Sequence, residues 1–344
     1  MIGLRITHND GSSFIFNQQT VPATNIWTSG VYSNGTWMCP NRIPEGYEFA
    51  IMRFGTLTGV KFVPQGNAMI ASGTEDYASY SSSSGTITFY KLLNSNTIRF
   101  PIQIIAYPNY KKITIASKVG LRIEGNPIFL NDLPITGYAY GFYKKIVTID
   151  GVFNPKIISA DLTLDNAVYF FYSLDANSYI RRAVFTDSWG SPSGYGMVNT
   201  ARDSKSSAKS KYYVIAFRTA KEGEINQGSS GLRIRNMQGK VTFNSLYDVL
   251  TKPILVPGTS LTFDKKTKIT GIKRPMYTPQ SAGEFFFHTD GGYIDQLNVC
   301  QYDAESIRLS RFRWYYNSAY IGETTLSLTK YPLLILDAED YFKF

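Results

Sequence analysis

Histidine and cysteine are almost absent from this chain, with two of each in 344 residues. A disulfide framework needs several closely spaced cysteines in a short chain, so Cys39 and Cys300 fit free thiols made in a reducing cytoplasm. His8 and His288 belong to no metal-binding spacing, and no cysteine cluster accompanies them. No apolar run approaches the roughly 20 residues that cross a bilayer. The opening Met1-Ile2-Gly3-Leu4-Arg5-Ile6 lacks the basic region and apolar core of a secretion signal. Helical periodicity of apolar residues is nearly absent, and Asn244–Leu250 suits a single helical turn. Gly190-Ser191-Pro192-Ser193-Gly194 carries its serines on the wrong positions for a nucleophile elbow. No glycine-rich loop of phosphate-cradling spacing occurs.

What the chain has instead is aromatic and β-branched residues. The 25 tyrosines and 22 phenylalanines fit pleated, half-buried surfaces and favour strands. Short runs such as Thr86–Tyr90, Ile102–Tyr107, Tyr212–Phe217 and Arg311–Tyr316 read as strands, and Ala167–Tyr172 as a strand buried on both faces. Turn signals such as Ser33-Asn34-Gly35, Asp150-Gly151 and Asp290-Gly291-Gly292 separate them. The length exceeds one ordinary core of about 100–150 residues.

A repeat supplies the division. Gly-Leu-Arg-Ile begins at Gly3, Gly120 and Gly231, spaced by 117 and 111 residues. Each copy leads through a turn to a Phe-bearing segment: Phe14–Asn17, Ile128–Asn131 and Val241–Asn244. The strands before the second and third copies also match, Ile104-Ile105-Ala106-Tyr107 and Val214-Ile215-Ala216-Phe217, and Leu333-Leu334-Ile335-Leu336 closes the chain in the equivalent place. The middle copy, with the turn Glu124–Pro127, departs most from the others. The expected fold is all-β, with three tandem β-sandwich-like domains over residues 1–117, 118–229 and 230–344. Each opens with a hairpin whose Leu and Ile face a core and whose Arg5, Arg122 or Arg233 faces solvent.

The pattern Gly-Leu-Arg-Ile, four residues, Gly, then Phe-Asn resembles a family of poorly characterised tail-associated proteins of tailed bacteriophages. The third copy, Gly231 to Ser245, carries it most fully, and the ending Leu336–Phe342 is similar too. Asn244 stands where many relatives have Asp. The resemblance implies a virion tail component near the tip or fibres, in several copies, attached to other tail proteins and released by lysis rather than secreted. It is a scaffold motif and implies no cofactor and no chemistry.

Two loops suit recognition, because Tyr, Trp, Ser and Gly make adaptable contacts and aromatics stack on sugar rings. They are Ala78–Gly85, with Tyr80, and Trp189–Gly196, with Trp189 and Tyr195. Basic clusters at Arg202–Lys211, with Lys209 and Lys211, and at Lys265-Lys266-Thr267-Lys268 with Lys273-Arg274 suit an acidic partner, a phosphorylated host glycan or DNA; the net charge is +9. No nucleic-acid-binding module accompanies that charge. The alternatives to a structural tail protein are a host-glycan-binding adhesin and a polysaccharide-depolymerising tail enzyme. The second would need an opposed carboxylate pair, for which Glu75-Asp76 or Asp161 and Asp165 are the candidates. If the hairpin reading holds, Leu4→Asp or Leu232→Asp destabilises the protein by several kcal/mol (about 1.5–3 for the lost burial, plus the buried charge). Arg5→Ala is then near neutral; thermal unfolding of the variants checks this, and equal effects of the Leu and Arg changes would reverse the in/out assignment.

Overall fold

The computed structural model describes residues 4–7, 13–16, 22–29, 37–53, 60–65, 68–73, 77–81, 83–90, 102–109, 120–123, 126–130, 137–186, 192–204, 206–226, 232–235, 239–263, 265–287, 292–317 and 325–344. It is all-β, built from antiparallel sheets with a few single turns of 3-10 helix. Among the described residues no helix is long and apolar enough to cross a membrane.

The sheets repeat one arrangement. In the first unit the closing strand Ile102–Pro108 lies between an opening strand, Thr24–Ser29, and a middle strand, Tyr47–Arg53. In the second unit Lys209–Thr219 lies between Ala139–Asp150 and Val168–Ser173. In the third, Leu333–Asp337 lies between Ile254–Val256 and Pro275–Tyr277. The order opening–closing–middle is therefore the same in all three inner sheets. Those of the second and third units join edge to edge through Phe171 and Tyr277, and the short strand Asp248–Val249 completes a seven-stranded sheet. Strands from both sides of residue 229 thus share one sheet.

Side-chain alternation shows how the units meet. Ile105 and Tyr107, Ile215 and Phe217, and Leu334 and Leu336 stand at matching places on the three closing strands, and all six enter one common core. Ala50, Met52, Val168, Phe170 and Met276 of the middle strands join them. The alternate residues face outward. Ile104 and Ala106 enter a core beneath the outer strands Trp37–Met38, Tyr77–Ser81 and Thr86–Tyr90. Val214, Ala216, Leu333 and Ile335 enter another, beneath the outer sheets of the second and third units. These outer sheets are formed by Val152–Phe153, Pro192–Ala201 and Ser178–Thr186, and by Ser281–Phe287, Gly292–Asp303, Ser306–Asn317 and Thr325–Leu328. Each unit is a β-sandwich whose inner sheet turns its second face to the shared core. Strands such as Val168–Ser173 are consequently buried at every position, which explains their unbroken apolar runs.

Residues of all three Gly-Leu-Arg-Ile segments lie on two-stranded antiparallel ladders, while Gly3 and Gly231 fall outside the described residues. Leu4–Thr7 pairs with Ser13–Phe16, Gly120–Ile123 with Asn126–Leu130, and Arg233–Arg235 with Val241–Asn244. The pairs Leu4–Phe16, Leu121–Phe129 and Ile234–Phe243 put an aliphatic residue opposite a Phe in each. In the third hairpin Leu232, Ile234, Val241 and Phe243 pack onto Tyr138, Tyr140 and Phe142 of the second unit, so the hairpin straps one unit to the next. Arg233 lies on its other face, yet it is half-buried and donates from Nη1 to the Asn226 carbonyl at 3.0 Å. Simple solvation was the expectation; the neighbouring single-turn helix Glu224–Asn226 supplies an acceptor instead.

Just beyond the hairpins the backbones close a ring. The Ala23 N–H donates to the Leu250 carbonyl at 2.6 Å, the Leu250 N–H to Ala139 at 2.8 Å and the Ala139 N–H to Ala23 at 3.1 Å. Ala23, Ala139 and Leu250 follow Gly3, Gly120 and Gly231 by 20, 19 and 19 residues. The ring is a pseudo-threefold axis written in hydrogen bonds.

The expected helical turn over Asn244–Leu250 is a correction. The chain makes a strand to Asn244, a turn, and then the strand Asp248–Val249. The Asn244 Oδ1 accepts the Leu246 N–H at 3.0 Å, a local bond that favours a turn over a helix. Both cysteines are free and buried, Cys39 in the first unit's outer core and Cys300 in that shared by the other two. Phe170→Ala, in the common core, is expected to lower stability by about 3–5 kcal/mol. Ile146→Ala, at a site 44% exposed, should stay within about 0.5 kcal/mol of wild type. Denaturant unfolding of both variants reads the difference.

Candidate interaction surface

The residues proposed for recognition fall in different units. Tyr80 lies in the strand Tyr77–Ser81 opposite Ile87, in the first unit's outer sheet. Tyr195 lies in the strand Pro192–Ala201 opposite Val184, in the second unit's. The stretch from Pro192 to Gly196 is therefore strand rather than loop, because the Tyr-Gly alternation continues a ladder with Ser178–Thr186. Trp189 lies outside the described residues, as do His8, His288, Glu75, Asp76 and Lys205.

Lys209 and Lys211 are exposed on the second unit's closing strand, and Lys265 and Lys266 are exposed in the third unit. Much of this charge is answered locally. Lys209 pairs with Asp150 at 3.4 Å, Lys266 with Asp303 at 3.6 Å, and Lys268 with Glu305 at 2.5 Å. Such exposed pairs are screened by solvent and contribute little to stability. Asp161 and Asp165 sit in one surface loop. Asp161 accepts from the Tyr143 hydroxyl at 3.1 Å, and this bond with the nearby Lys221 holds its carboxyl below the usual range. Desolvation pushes the carboxyl of Asp165 the other way.

The Arg202–Lys211 segment proves to be a clasp. Its turn residue Asp203 has φ +53°, a strained conformation for a residue with a Cβ. The carboxylate pays for that strain across the sheets: it accepts from the Arg308 guanidinium, from the Ser310 hydroxyl at 3.1 Å and from the Arg311 N–H at 3.1 Å. Arg308 is 8% exposed, so a turn of the second unit neutralises a buried charge of the third.

Another polar cluster lies inside the second unit. The Ser210 hydroxyl donates to Asp175 at 2.6 Å, Ser178 lies 2.6 Å from Ser210 and 3.0 Å from the Tyr212 hydroxyl, and Tyr212 donates to Asn199 at 2.8 Å. Asn199 holds the Ile149 and Ala208 carbonyls. Ser178, Tyr212 and Asn199 are buried, and these bonds occupy their polar atoms in tying strands together. Among the described residues no group of three or more His, Cys, Asp and Glu side chains is placed to hold a metal ion.

The most distinctive surface forms where the second unit's long strands overhang the common core. Its opening and closing strands run 12 and 11 residues, against 6 and 7 in the first unit and 3 and 5 in the third. On the overhang Tyr213 faces Ile146 and Tyr172 across the ladders. The chain's end folds onto them: Phe344 lies 4.8 Å from Tyr213 and 5.5 Å from Tyr172, and Phe342 lies 5.3 Å from Tyr213, centroid to centroid. Arg274 stacks over Phe344 at 4.3 Å and donates to the Tyr172 hydroxyl at 3.2 Å. Phe344 remains 44% exposed and Ile146 equally so, which leaves a platform of ring faces with a cation at its rim. Sequence reasoning passed over this site because Tyr212-Tyr213 and Phe342–Phe344 lie far apart in the chain; the aromatic ending was the available signal.

The turn leading to this platform carries a titrating group. Asp340 is exposed as a residue, yet partial desolvation of its carboxyl, with Asp337 and Glu339 beside it, pushes it up to about 6. An ordinary unfolded Asp titrates near 3.9. The native state thus prefers Asp340 protonated, and stability rises as pH falls from about 6 towards about 4. Glu339, held below its usual range by Lys273 and Arg274, acts in the opposite sense and loses its contribution only at lower pH. Asp340→Asn should raise the melting temperature at pH 7 and flatten its pH dependence between 6 and 4; an unchanged slope would place the titrating group elsewhere.

No family model, curated protein or solved structure matches this chain.

Proposed function

We propose that the protein is a structural component of a bacteriophage tail, associated with its tip or fibres and attached to other tail proteins. The observation that carries the reading is the placement of the tail-family motif. It occurs in three hairpins whose following segments meet in one hydrogen-bonded ring, so the motif serves the architecture of the whole chain. The reading also agrees with the use of the conspicuous Asp, Ser, Tyr and Arg side chains to bind strands and units together. The virion tail is then its location.

A second reading, a host-glycan-binding adhesin, draws on the exposed Phe344 and the half-buried Tyr213 and Phe342, with Arg274 at their rim. Aromatic faces stack on sugar rings. Both readings meet in one protein if the tail component also touches the host surface.

Mass spectrometry of purified particles, with labelled-antibody imaging, tests the first reading. The expected result is the protein on the tail; its absence from particles would refute the reading. Glycan-array binding of wild type and Phe344→Ala tests the second, with loss of binding expected in the variant. Release of reducing ends from host polysaccharide by the purified protein would instead favour a depolymerising enzyme.

A further inference from the structure

The second unit's opening strand, Ala139–Asp150, keeps one side open. Its other side pairs with Lys209–Thr219 along nearly its whole length. On the open side the short strand Asp248–Val249 reaches only Tyr140 and Gly141, and among the described residues no strand pairs with the remainder. The Gly151 N–H donates to the Ala208 carbonyl at 3.0 Å, across the paired side. Backbone groups alternate in direction along a strand, so the N–H and C=O of Ile146 and Thr148 point to the open side. Both residues are exposed, and among the described residues no partner takes up these groups. Such an edge is a template for an extended segment of another chain, which gains main-chain hydrogen bonds by joining the sheet.

The side chains around the edge select the occupant. Lys145, Lys156 and Lys211 are exposed, and among the described residues no carboxylate pairs with them. Lys145 donates from Nζ to the Ile157 carbonyl at 3.0 Å, which brings the single turn Pro155–Ile157, with Lys156, alongside the strand. Lys211 stands opposite Thr148 on the paired strand. The nearby acids are already answered: Asp248 by Lys144, Asp150 by Lys209 and Asp161 by Lys221. The excess charge is therefore positive. Ile146 and Ile157 are exposed apolar residues beside it. A second copy of this edge would bring a second set of the same lysines, which repel. An acidic segment brings the opposite sign.

We propose that the open edge of Ala139–Asp150 binds an extended acidic segment of another protein, added as a strand beside Ile146 and Thr148 with its carboxylates towards Lys145, Lys156 and Lys211. Main-chain bonds to the edge hold the segment, and the lysines set its sign. The edge is present whether or not the protein belongs to a tail, so its test is carried out in solution.

The probe is a short synthetic peptide alternating Glu and Val, added to the full-length protein. One control peptide alternates Lys and Val; another alternates Glu and Pro, which keeps the charge and cannot pair as a strand. Fluorescence anisotropy reads binding, and amide hydrogen exchange reads the edge. The Glu-Val peptide is expected to bind about tenfold more tightly than either control and to slow exchange at Ile146 and Thr148. Lys145→Glu combined with Lys211→Glu should reverse the preference in favour of the Lys-Val peptide, with the melting temperature unchanged. Failure of the Glu-Val peptide to bind, equal binding of the Glu-Val and Lys-Val peptides, or binding that leaves the Ile146 and Thr148 amides as they were would overturn the proposal. Protection of those amides by self-association of the protein alone would give the edge to a second copy and overturn it too.

Discussion

The structure depends on burying both faces of three small sheets at once. An inner sheet of three strands has too little surface to hold a domain together by one face, so each lends its second face to the common core. Phe170, Phe217, Met276 and Tyr107, drawn from the three units, lie there with Tyr341 from the chain's last turn. Each such side chain contributes about 1.5–3 kcal/mol on burial, and each packs in a core built by all three units. The dependence among units is therefore thermodynamic: exposing the core of one exposes that of its neighbours.

This constraint explains which parts of the fold were legible in the sequence. A strand buried on both faces cannot alternate apolar with polar, so Ala167–Tyr172 announced itself as an uninterrupted run. The matching tetrads ending at Tyr107, Phe217 and Leu336 were legible for the same reason, because two packed faces restrict every position. The hairpins were visible through their glycines and their recurring Phe. The meeting of the units was not visible. It depends on backbone bonds among Ala23, Ala139 and Leu250, and a backbone amide leaves no trace in residue type.

The candidate sites were less legible, again for physical reasons. A cluster of Arg and Lys reads alike whether it meets water, a ligand or another sheet. In Arg202–Lys211 the residue that reaches another sheet is the acid, Asp203, which takes up the charge of Arg308, 105 residues away, while Lys209 and Lys211 are exposed. Distance in sequence also hid the aromatic platform, whose rings come from the middle of the chain and its end. Tyr195 was misread because a strand rich in Gly and Ser has the composition of a loop, and only its partner strand, Ser178–Thr186, distinguishes the two.

Symmetry and its loss divide the molecule's work. The hydrogen-bonded ring, the common core and the hairpins repeat three times, so changes there are constrained by two neighbours each. The overhang of the second unit, the Asp203 clasp and the folded-back ending occur once. They occupy the regions that symmetry does not require, where strands can lengthen without disturbing a neighbour. Tyr107, Phe217 and Leu336 of the three closing strands lie in the part that the repeat requires, and the contact of Phe344 with Tyr213 lies in the part that occurs once.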